Sequence, residues 1–318
     1  MNTHKKYLIA SGGTGGHIFP AMVFGRNLEK DGAEVKWLCG SRELEKTIYG
    51  SMNIEPLILS ISGSPFGTKS IIKILGRFMG LVKSFFQTWK FIKNFKPDRI
   101  FLFGGYISFA PLLIAKIKKI PVTLHEQNAV AGKVTKLALK WGAEIITGWP
   151  VCEGINKFQY VGIPVREPVK MKKTEALKKL GLTLFSGAKI IGIAGGSLVS
   201  GPLNKILMKT AELCPDFEFV FLSHERKDIN NTHFIPLQWD MNPFYSICDI
   251  VVCRAGGSTL AEVLKWEIPA VSIPWPQAAD NHQVHNASEF VKLSKNSRIF
   301  NENESPEKLA EIFKNEMN

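Results

Sequence analysis

The sequence predicts an α/β protein of two doubly wound, Rossmann-like domains, each a parallel sheet wrapped by helices on both faces. Three observations carry that expectation. Short apolar runs end in glycine turns and pass into helical periodicity, the device comes in two successive rounds, and 318 residues exceed the usual size of one compact domain.

The first round opens at residues 7–10, an apolar strand that enters the turn Gly12-Gly13-Thr14-Gly15-Gly16-His17 and then a helix over 19–28. Residues 35–39 read as the next strand. The same punctuation returns at 99–103 before Gly104-Gly105, and at 121–124 before His125-Glu126. A second round starts with 189–194, followed by Gly195-Gly196-Ser197 and a helix over 203–213; residues 217–222, 250–253 and 270–273 supply further strands. Between the rounds, Pro164, Pro168 and the basic run 170–173 mark a polar junction, which sets the domains at 1–163 and 164–318. In an open parallel sheet, ligands bind beyond the carboxyl ends of the strands. Two such domains facing each other are therefore expected to line a central cleft with their glycine turns.

An apolar fraction of 45% with 21% charged residues suits a folded globular chain rather than a disordered one. The five cysteines include no CxxC pair, which fits neither a zinc site nor a disulfide framework and points to a reducing compartment. The apolar stretch 7–10 is cut off by Ser11-Gly12-Gly13, too short for a signal peptide or a membrane span, so a cytosolic chain is expected.

A net charge of +12 implies attraction to polyanions, and its distribution narrows the choice. No acidic residue lies between Glu55 and Asp98, whereas Lys69, Lys73, Arg77, Lys83, Lys90, Lys93 and Lys96 all fall there. Taken as one helix, 69–96 puts Ile71, Leu75, Phe78, Val82, Phe85, Trp89 and Ile92 on one broad face with most of the bases towards the other, a pattern suited to an anionic membrane surface. The alternative is a helix that packs its apolar face on its own sheet and leaves its lysines solvated. Nucleic acid is disfavoured, because the basic cluster is interleaved with apolar residues and no RNP-type motif or zinc finger accompanies it.

The turn 12–17 has neither the GxGxxG spacing of a dinucleotide site nor the GK[ST] ending of a Walker loop. Its glycines permit positive φ and close approach, and the helix that follows directs N–H groups and a partial positive charge at an anion or a polar sugar. His17, at the mouth of the turn, suits a proton acceptor for a hydroxyl. His125, Glu126, Gln127 and Asn128 place four hydrogen-bonding side chains at the same sheet end, a density costly to bury without a ligand. An exposed loop in which Asn128 caps a helix is the alternative.

In the second round, the turn 195–197 precedes a helix start suited to a pyrophosphate. Residues 254–262 join a small-residue turn to a helix bearing Thr259 and Glu262, and a carboxylate there can take both hydroxyls of a ribose. An ordinary capping box accounts for the same residues. Asp280, Asn281, His282 and Gln283 suit sugar hydroxyls. With no DxD, no HExxH and no His or Cys set at ligand spacing, neither a metal nor another cofactor is expected; Arg166 and helix dipoles take the charge of a diphosphate instead.

These segments together resemble the MurG enzymes, the UDP-N-acetylglucosamine transferases that convert lipid I to lipid II in bacterial peptidoglycan synthesis. GGTGGHIFPA from Gly12, FGGYIS from Phe103, LHEQNAVAGK from Leu124, VGIPVR from Val161, AGGS from Ala194, VVCRAGGSTLAE from Val251 and DNHQ from Asp280 occur in the family's order. The resemblance implies a GT-B fold and an inverting, metal-independent transfer from UDP-N-acetylglucosamine to the C4 hydroxyl of lipid I, undecaprenyl-pyrophosphoryl-MurNAc-pentapeptide. It also implies a peripheral enzyme on the cytoplasmic face of the inner membrane.

By that resemblance Thr14, Gly15, Gly16 and Asn128 approach the transferred sugar, while Arg166 and Ser197 serve the diphosphate. Backbone around Gln238 and Met241, together with Gly257, Ser258, Thr259, Leu260 and Ala261, holds uridine, with Glu262 on the ribose and His282 and Gln283 on the sugar. Gly12, Gly13, Gly104, Gly105, Tyr106 and Gln127 fall on the acceptor side. The implied base is His17, with Glu126 or His125 as substitutes. Transfer to another lipid and UDP-GlcNAc epimerisation are the related readings. Leu198 stands where the family usually has Gln, and Ile163 where it usually has Asn. The last segment, 306–317, is the candidate for a helix that closes back onto the first domain.

Overall fold

The computed structural model describes residues 5–63, 70–194, 201–223 and 230–317, and its chain divides into two compact units, Met1–Val165 and Arg166–Asn318. Lys69, the turn 195–197 and Leu198 lie outside the described residues, as do the side chains of Ile71 and Lys73.

Unit 1 runs β1 (Lys6–Ala10), α1 (Gly15–Lys30), β2 (Glu34–Cys39), α2 (Glu43–Ser51), β3 (Leu57–Ile58), α3 (Ile71–Phe95), β4 (Arg99–Leu102), α4 (Phe109–Lys118), β5 (Val122–Glu126), α5 (Lys133–Lys140), β6 (Glu144–Thr147) and β7 (Gln159–Tyr160). The strands form one parallel sheet in the order β3-β2-β1-β4-β5-β6-β7. Side chains alternate across a strand, and β1 is buried on both faces. Leu8 and Ala10 join Ile100, Leu102 and Leu124 under Leu112 and Ala115 of α4, whereas Ile9 joins Val35 and Trp37 under Ile18 and Met22 of α1. Because α1 begins at Gly15 rather than at the expected residue 19, His17 belongs to its first turn.

Unit 2 runs α6 (Lys173–Lys179), β8 (Lys189–Ala194), α7 (Gly201–Glu212), β9 (Phe217–Leu222), β10 (Thr232–Ile235), α8 (Asn242–Ile247), β11 (Ile250–Cys253), α9 (Gly257–Trp266), β12 (Ala270–Ser272), α10 (His282–Leu293), β13 (Arg298–Ile299) and α11 (Pro306–Met317). Its parallel sheet has the order β10-β9-β8-β11-β12-β13. The segment before α6 is tied to α8, with Val169 N–H donating to Asn242 at 3.0 Å and Met171 N–H to Ser246 at 3.2 Å. The last segment, 306–317, forms α11. Leu309, Ala310 and Phe313 of α11 are buried with Leu203 and Leu207 of α7 and Phe219 of β9, so the apolar face of this helix belongs to the core of unit 2.

His125 braces unit 1 from within. Its ring is buried and stacks on Phe103 at 5.4 Å and 11°. Nε2 lies 2.8 Å from the Gly162 carbonyl and Nδ1 3.2 Å from the Gln127 amide nitrogen. A carbonyl only accepts, so Nε2 carries the proton and Nδ1 is the acceptor. Burial, opposed in part by the Gly162 contact and the nearby Glu126 charge, pushes the imidazole down to about 4.

Two consequences are measurable. A methyl on Gly25 of α1 would run into Trp37 Cη2 and stand 2.6 Å from Ile9 Cδ1, so Gly25→Val is expected to cost at least about 1–3 kcal/mol of unfolding free energy in urea. An unchanged midpoint would show that α1 can lift off the sheet. His125 is neutral when folded but takes a proton near pH 6.5 when unfolded, so stability is complete above that pH and falls towards pH 4 by up to about 3 kcal/mol. Urea titrations from pH 7.5 to 5 should show a steeper loss in the wild type than in His125→Gln; equal slopes would refute this linkage.

Candidate active site

The polar turns of unit 1 gather where β1, β4 and β5 end, and the strand order reverses between β1 and β4, the place where open α/β sheets leave a crevice. Gly13 has φ +96°, a value L side chains rarely adopt, and this lets the chain leave β1 and enter α1 within a few residues. Thr14 is the extended N-cap. His17 is partly exposed, with Nδ1 3.3 Å from the Thr14 hydroxyl. Opposite it, a Cβ on Gly104 would lie 3.5 Å from Cδ2 and Nε2 of His17, which places the turn after β4 directly against the imidazole. Gly105 closes on the carbonyl of Gly12 in the same way, at 3.2 Å.

Glu126 and His125 do not fit the role of substitute base. The Glu126 carboxylate accepts hydrogen bonds from Asn128 N–H at 3.1 Å, Asn128 Nδ2 at 3.3 Å, Gly132 N–H at 3.0 Å and the Thr135 hydroxyl at 2.5 Å. Gly132 is the N-cap of α5, so the buried carboxylate stitches the loop to the start of that helix, a capping task that sequence reasoning gave to Asn128. His125 has both ring nitrogens engaged and no exposed edge. Gln127 donates to the His125 carbonyl at 3.0 Å, and its buried carbonyl oxygen would lie 3.8 Å from a Cβ on Gly104. Of the four polar residues, Asn128 alone is not fully buried.

In unit 2 the order reverses between β8 and β11. The capping-box alternative for α9 fails: Gly256 is its N-cap, without a side-chain cap. Gly257, Ser258 and Thr259 form the first turn, where helix amides point outward along the axis. Leu260 is buried, so only its backbone can meet a ligand, whereas Ala261 is partly exposed. Glu262 accepts the Tyr245 hydroxyl at 3.0 Å. Burial raises its carboxyl above the usual value, opposed by that hydrogen bond and by the charge of Arg166. Arg166 in turn donates to the Trp239 carbonyl at 2.5 Å, in the loop that carries Gln238 and Met241, and Gln238 folds back onto the Pro236 carbonyl at 2.7 Å. His282 opens α10 with Nδ1 2.7 Å from the Ala279 carbonyl, and Gln283, buried, accepts the Trp275 N–H at 2.8 Å.

The exposed face of α3 differs from the one the sequence predicts. Leu75, Phe78 and Val82 are exposed, but Phe85 and Trp89 pack towards the core beside buried Ile92, because the carboxyl-terminal half of the helix lies on the sheet side of unit 1. Ile74, Met79 and Phe86, which the expected face omitted, join the exposed set. Arg77 is half-buried and Lys83 exposed. Among the described residues no helix is long and apolar enough to cross a membrane.

Sequence reasoning missed several side chains that set this geometry. Glu45 and Arg42 reach the glycine turn from α2, Tyr245 holds Glu262, and Arg254 with Glu302 and Asn286 braces the turn before α9. For Tyr245 and Glu45 the only signal was a polar group within an otherwise buried pattern.

The glycosyltransferase family 28 N-terminal domain matches residues 7–147, and the glycosyltransferase family 28 C-terminal domain matches 191–318. A transferase of Elusimicrobium minutum (strain Pei191), named for UDP-N-acetylglucosamine and N-acetylmuramyl-(pentapeptide) pyrophosphoryl-undecaprenol, is 33% identical over 89% of this chain and 81% of its own length. A Coxiella burnetii (strain Dugway 5J108-111) protein of the same name is 34% identical over 89% and 81%. The crystal structure of Acinetobacter baumannii MurG superposes with a TM-score of 0.74 at 25% identity, over 99% of this chain and 91% of that one. A Neisseria meningitidis UDP-GlcNAc 2-epimerase, at 17% identity and a TM-score of 0.61, shares the fold. The two-domain GT-B architecture, the matched halves and the relatives agree: this chain belongs to glycosyltransferase family 28, among the MurG enzymes.

Proposed function

We propose that this glycosyltransferase moves N-acetylglucosamine from UDP-N-acetylglucosamine to the C4 hydroxyl of the N-acetylmuramyl sugar of lipid I, with inversion and without a metal. The observation that carries this reading is His17, held between Thr14 and Gly104 at the β1/β4 switch point of a family 28 enzyme. In the tautomer whose Nδ1–H donates to Thr14, Nε2 carries the lone pair. The acceptor hydroxyl gives its proton to Nε2 as its oxygen forms the new bond to the anomeric carbon. The bond from that carbon to the β-phosphate oxygen breaks, and its electron pair leaves with UDP. Arg166 and the amino end of α9 take the charge of the diphosphate, and Glu262 accepts from the ribose. Thr14, Gly15, Gly16, Asn128, His282 and Gln283 orient the transferred sugar.

Membrane attachment belongs to the same reading. Leu75, Phe78, Met79 and Phe86 of α3 are 61%, 56%, 65% and 64% exposed, in a stretch without acidic residues. Such a surface lies on an anionic bilayer, inserting apolar side chains among headgroups that attract the lysines. On this reading the enzyme works at the cytoplasmic face, next to its lipid-linked acceptor, and takes no nucleic acid.

Incubation with labelled UDP-N-acetylglucosamine and a short-chain lipid I analogue in chelator is expected to give labelled disaccharide lipid. No transfer would overturn the assignment, and released N-acetylmannosamine would make the chain an epimerase. His17→Ala should lower kcat by about 100-fold or more while leaving UDP affinity within about threefold; near-normal turnover would remove His17 as the base. In sedimentation with anionic vesicles, Phe78→Ser with Phe86→Ser should weaken binding at least about tenfold, since each buried aromatic side chain contributes about 1.5–3 kcal/mol. Unchanged binding would move the membrane surface elsewhere.

A further inference from the structure

The glycine turn is gripped from outside by a helix that no ligand assignment includes. Arg42, the N-cap of α2, donates from Nη1 to the Gly13 carbonyl at 3.2 Å and from Nε to the Ser62 carbonyl at 2.5 Å. Its guanidinium lies over the Tyr106 ring, 5.1 Å from the centroid. Glu45, three residues on, is fully buried, and its Oε1 accepts both the Gly13 N–H at 2.6 Å and the Tyr106 hydroxyl. The peptide groups on either side of the Gly13 α-carbon are therefore both held, one by a carboxylate and one by a guanidinium. Between them they fix the positive φ through which β1 passes into α1.

Room for the carboxylate is provided by two further glycines. A Cβ on Gly12 would lie 3.2 Å from Glu45 Oε1, and one on Gly40 would lie 2.6 Å from the Tyr106 hydroxyl and 2.9 Å from the Ile61 carbonyl. The other oxygen, Oε2, is buried without a hydrogen-bond partner. A carboxyl oxygen left without a partner in an interior costs stability, so its retention calls for a task beyond packing. Burial first, and then the contact with Glu45, pushes the Tyr106 phenol well above its ordinary range, so Tyr106 stays protonated and donates. Its ring borders the turn: a Cβ on Gly13 would meet Tyr106 Cε1 at 3.6 Å and His17 Nδ1 at 3.9 Å.

We infer that Glu45 is a positioning residue for sugar transfer, acting with Arg42 and Tyr106 as a clamp on both peptide groups of Gly13. The clamp fixes the direction in which α1 presents its first amides and His17. This rests on the transfer reaction proposed above. A shift of about 1 Å in a catalytic group can cost about 100-fold in rate, so a clamp on the backbone before His17 acts on turnover more than on substrate affinity.

The test compares Glu45→Ala, Glu45→Gln, Tyr106→Phe and the Glu45→Ala/Tyr106→Phe double variant. Steady-state kinetics, UDP calorimetry, thermal unfolding and amide exchange over residues 12–18 are measured for each. Glu45→Ala is expected to lower kcat about 30–100-fold, with KM for the donor and UDP affinity within about threefold. Glu45→Gln keeps one acceptor oxygen and should recover to within about fivefold of wild type, a rescue that packing alone would not produce. The double variant should be no slower than Glu45→Ala, because Tyr106 acts through the same carboxylate. Amides at 12–18 should exchange faster in Glu45→Ala, whatever the acceptor.

Wild-type kcat in folded Glu45→Ala, or unchanged exchange at 12–18, overturns the clamp. Parallel loss of kcat, UDP affinity and folded fraction overturns it too, since that is the signature of a general structural role. Should Glu45→Ala not fold, Glu45→Gln and Tyr106→Phe decide by the same readouts: faster exchange with reduced kcat supports the clamp, and wild-type values in both overturn it. A wild type that does not transfer to lipid I, with exchange still governed by Glu45, refutes the acceptor assignment and leaves the clamp in place.

Discussion

One backbone angle governs the candidate chemistry of unit 1. At Gly13 the chain leaves a strand buried on both faces and starts a helix that must pack back on the same sheet, and φ there is +96°. Everything on the far side of Gly13 inherits its direction, including the Thr14 N-cap, the outward amides of α1 and the imidazole of His17. A glycine alone leaves the angle permitted rather than fixed. The fixing comes from α2, through an Arg42 and a Glu45 that contact no predicted ligand residue except Tyr106 and the turn itself.

A second constraint is that buried polar groups must find partners inside the fold. His125, Glu126 and Gln127 stand in a row at a sheet end, and from the sequence that density points to a ligand. In the fold it satisfies itself: Glu126 caps the approach to α5, His125 is neutral and bonded to Gly162, and Gln127 bridges to His125. Each hydrogen bond removes a desolvation penalty that a ligand would otherwise have to offset. His17, by contrast, is partly exposed beside Thr14 and Gly104, which is why the proposed reaction gives it the proton transfer.

The parts of the fold legible in the sequence are those whose signal is local. Strands β1, β4, β8 and β11 are largely apolar runs because both of their faces are covered, and the glycine turns beyond β1, β4 and β11 sit at the switch points of the two sheets. Short edge strands such as β3, β7 and β13 carry too few residues to show a period. In α3 the helical period was read correctly, yet periodicity says which side chains share a face and nothing about how far the neighbouring layer reaches. Phe85 and Trp89 fall where α3 packs towards the core, and Leu75 and Phe78 fall where that layer has ended. The tie from Glu45 to the glycine turn was invisible for a related reason: its partner Gly13 is 32 residues away, and no local pattern encodes that distance.

Unit 2 shows the same device put to a different use. After β11 the turn into α9 is held by buried side chains, with Arg254 paired to Glu302 at 2.9 Å and Asn286 donating to the Ala255 carbonyl at 3.0 Å. An ion pair buried in this way adds little net stability, because desolvation offsets most of the attraction, but removing one partner strands the other. Its worth lies in fixing where the amino end of α9 points. Beyond that turn, Glu262 accepts the Tyr245 hydroxyl, and burial raises its carboxyl against that hydrogen bond and the charge of Arg166. On the proposed reaction, bracing in unit 1 aims the base, and in unit 2 it aims the groups that meet the nucleotide. A rigid turn serves both ends, and each unit holds its glycine turn with buried polar and charged residues drawn from distant elements of its own fold.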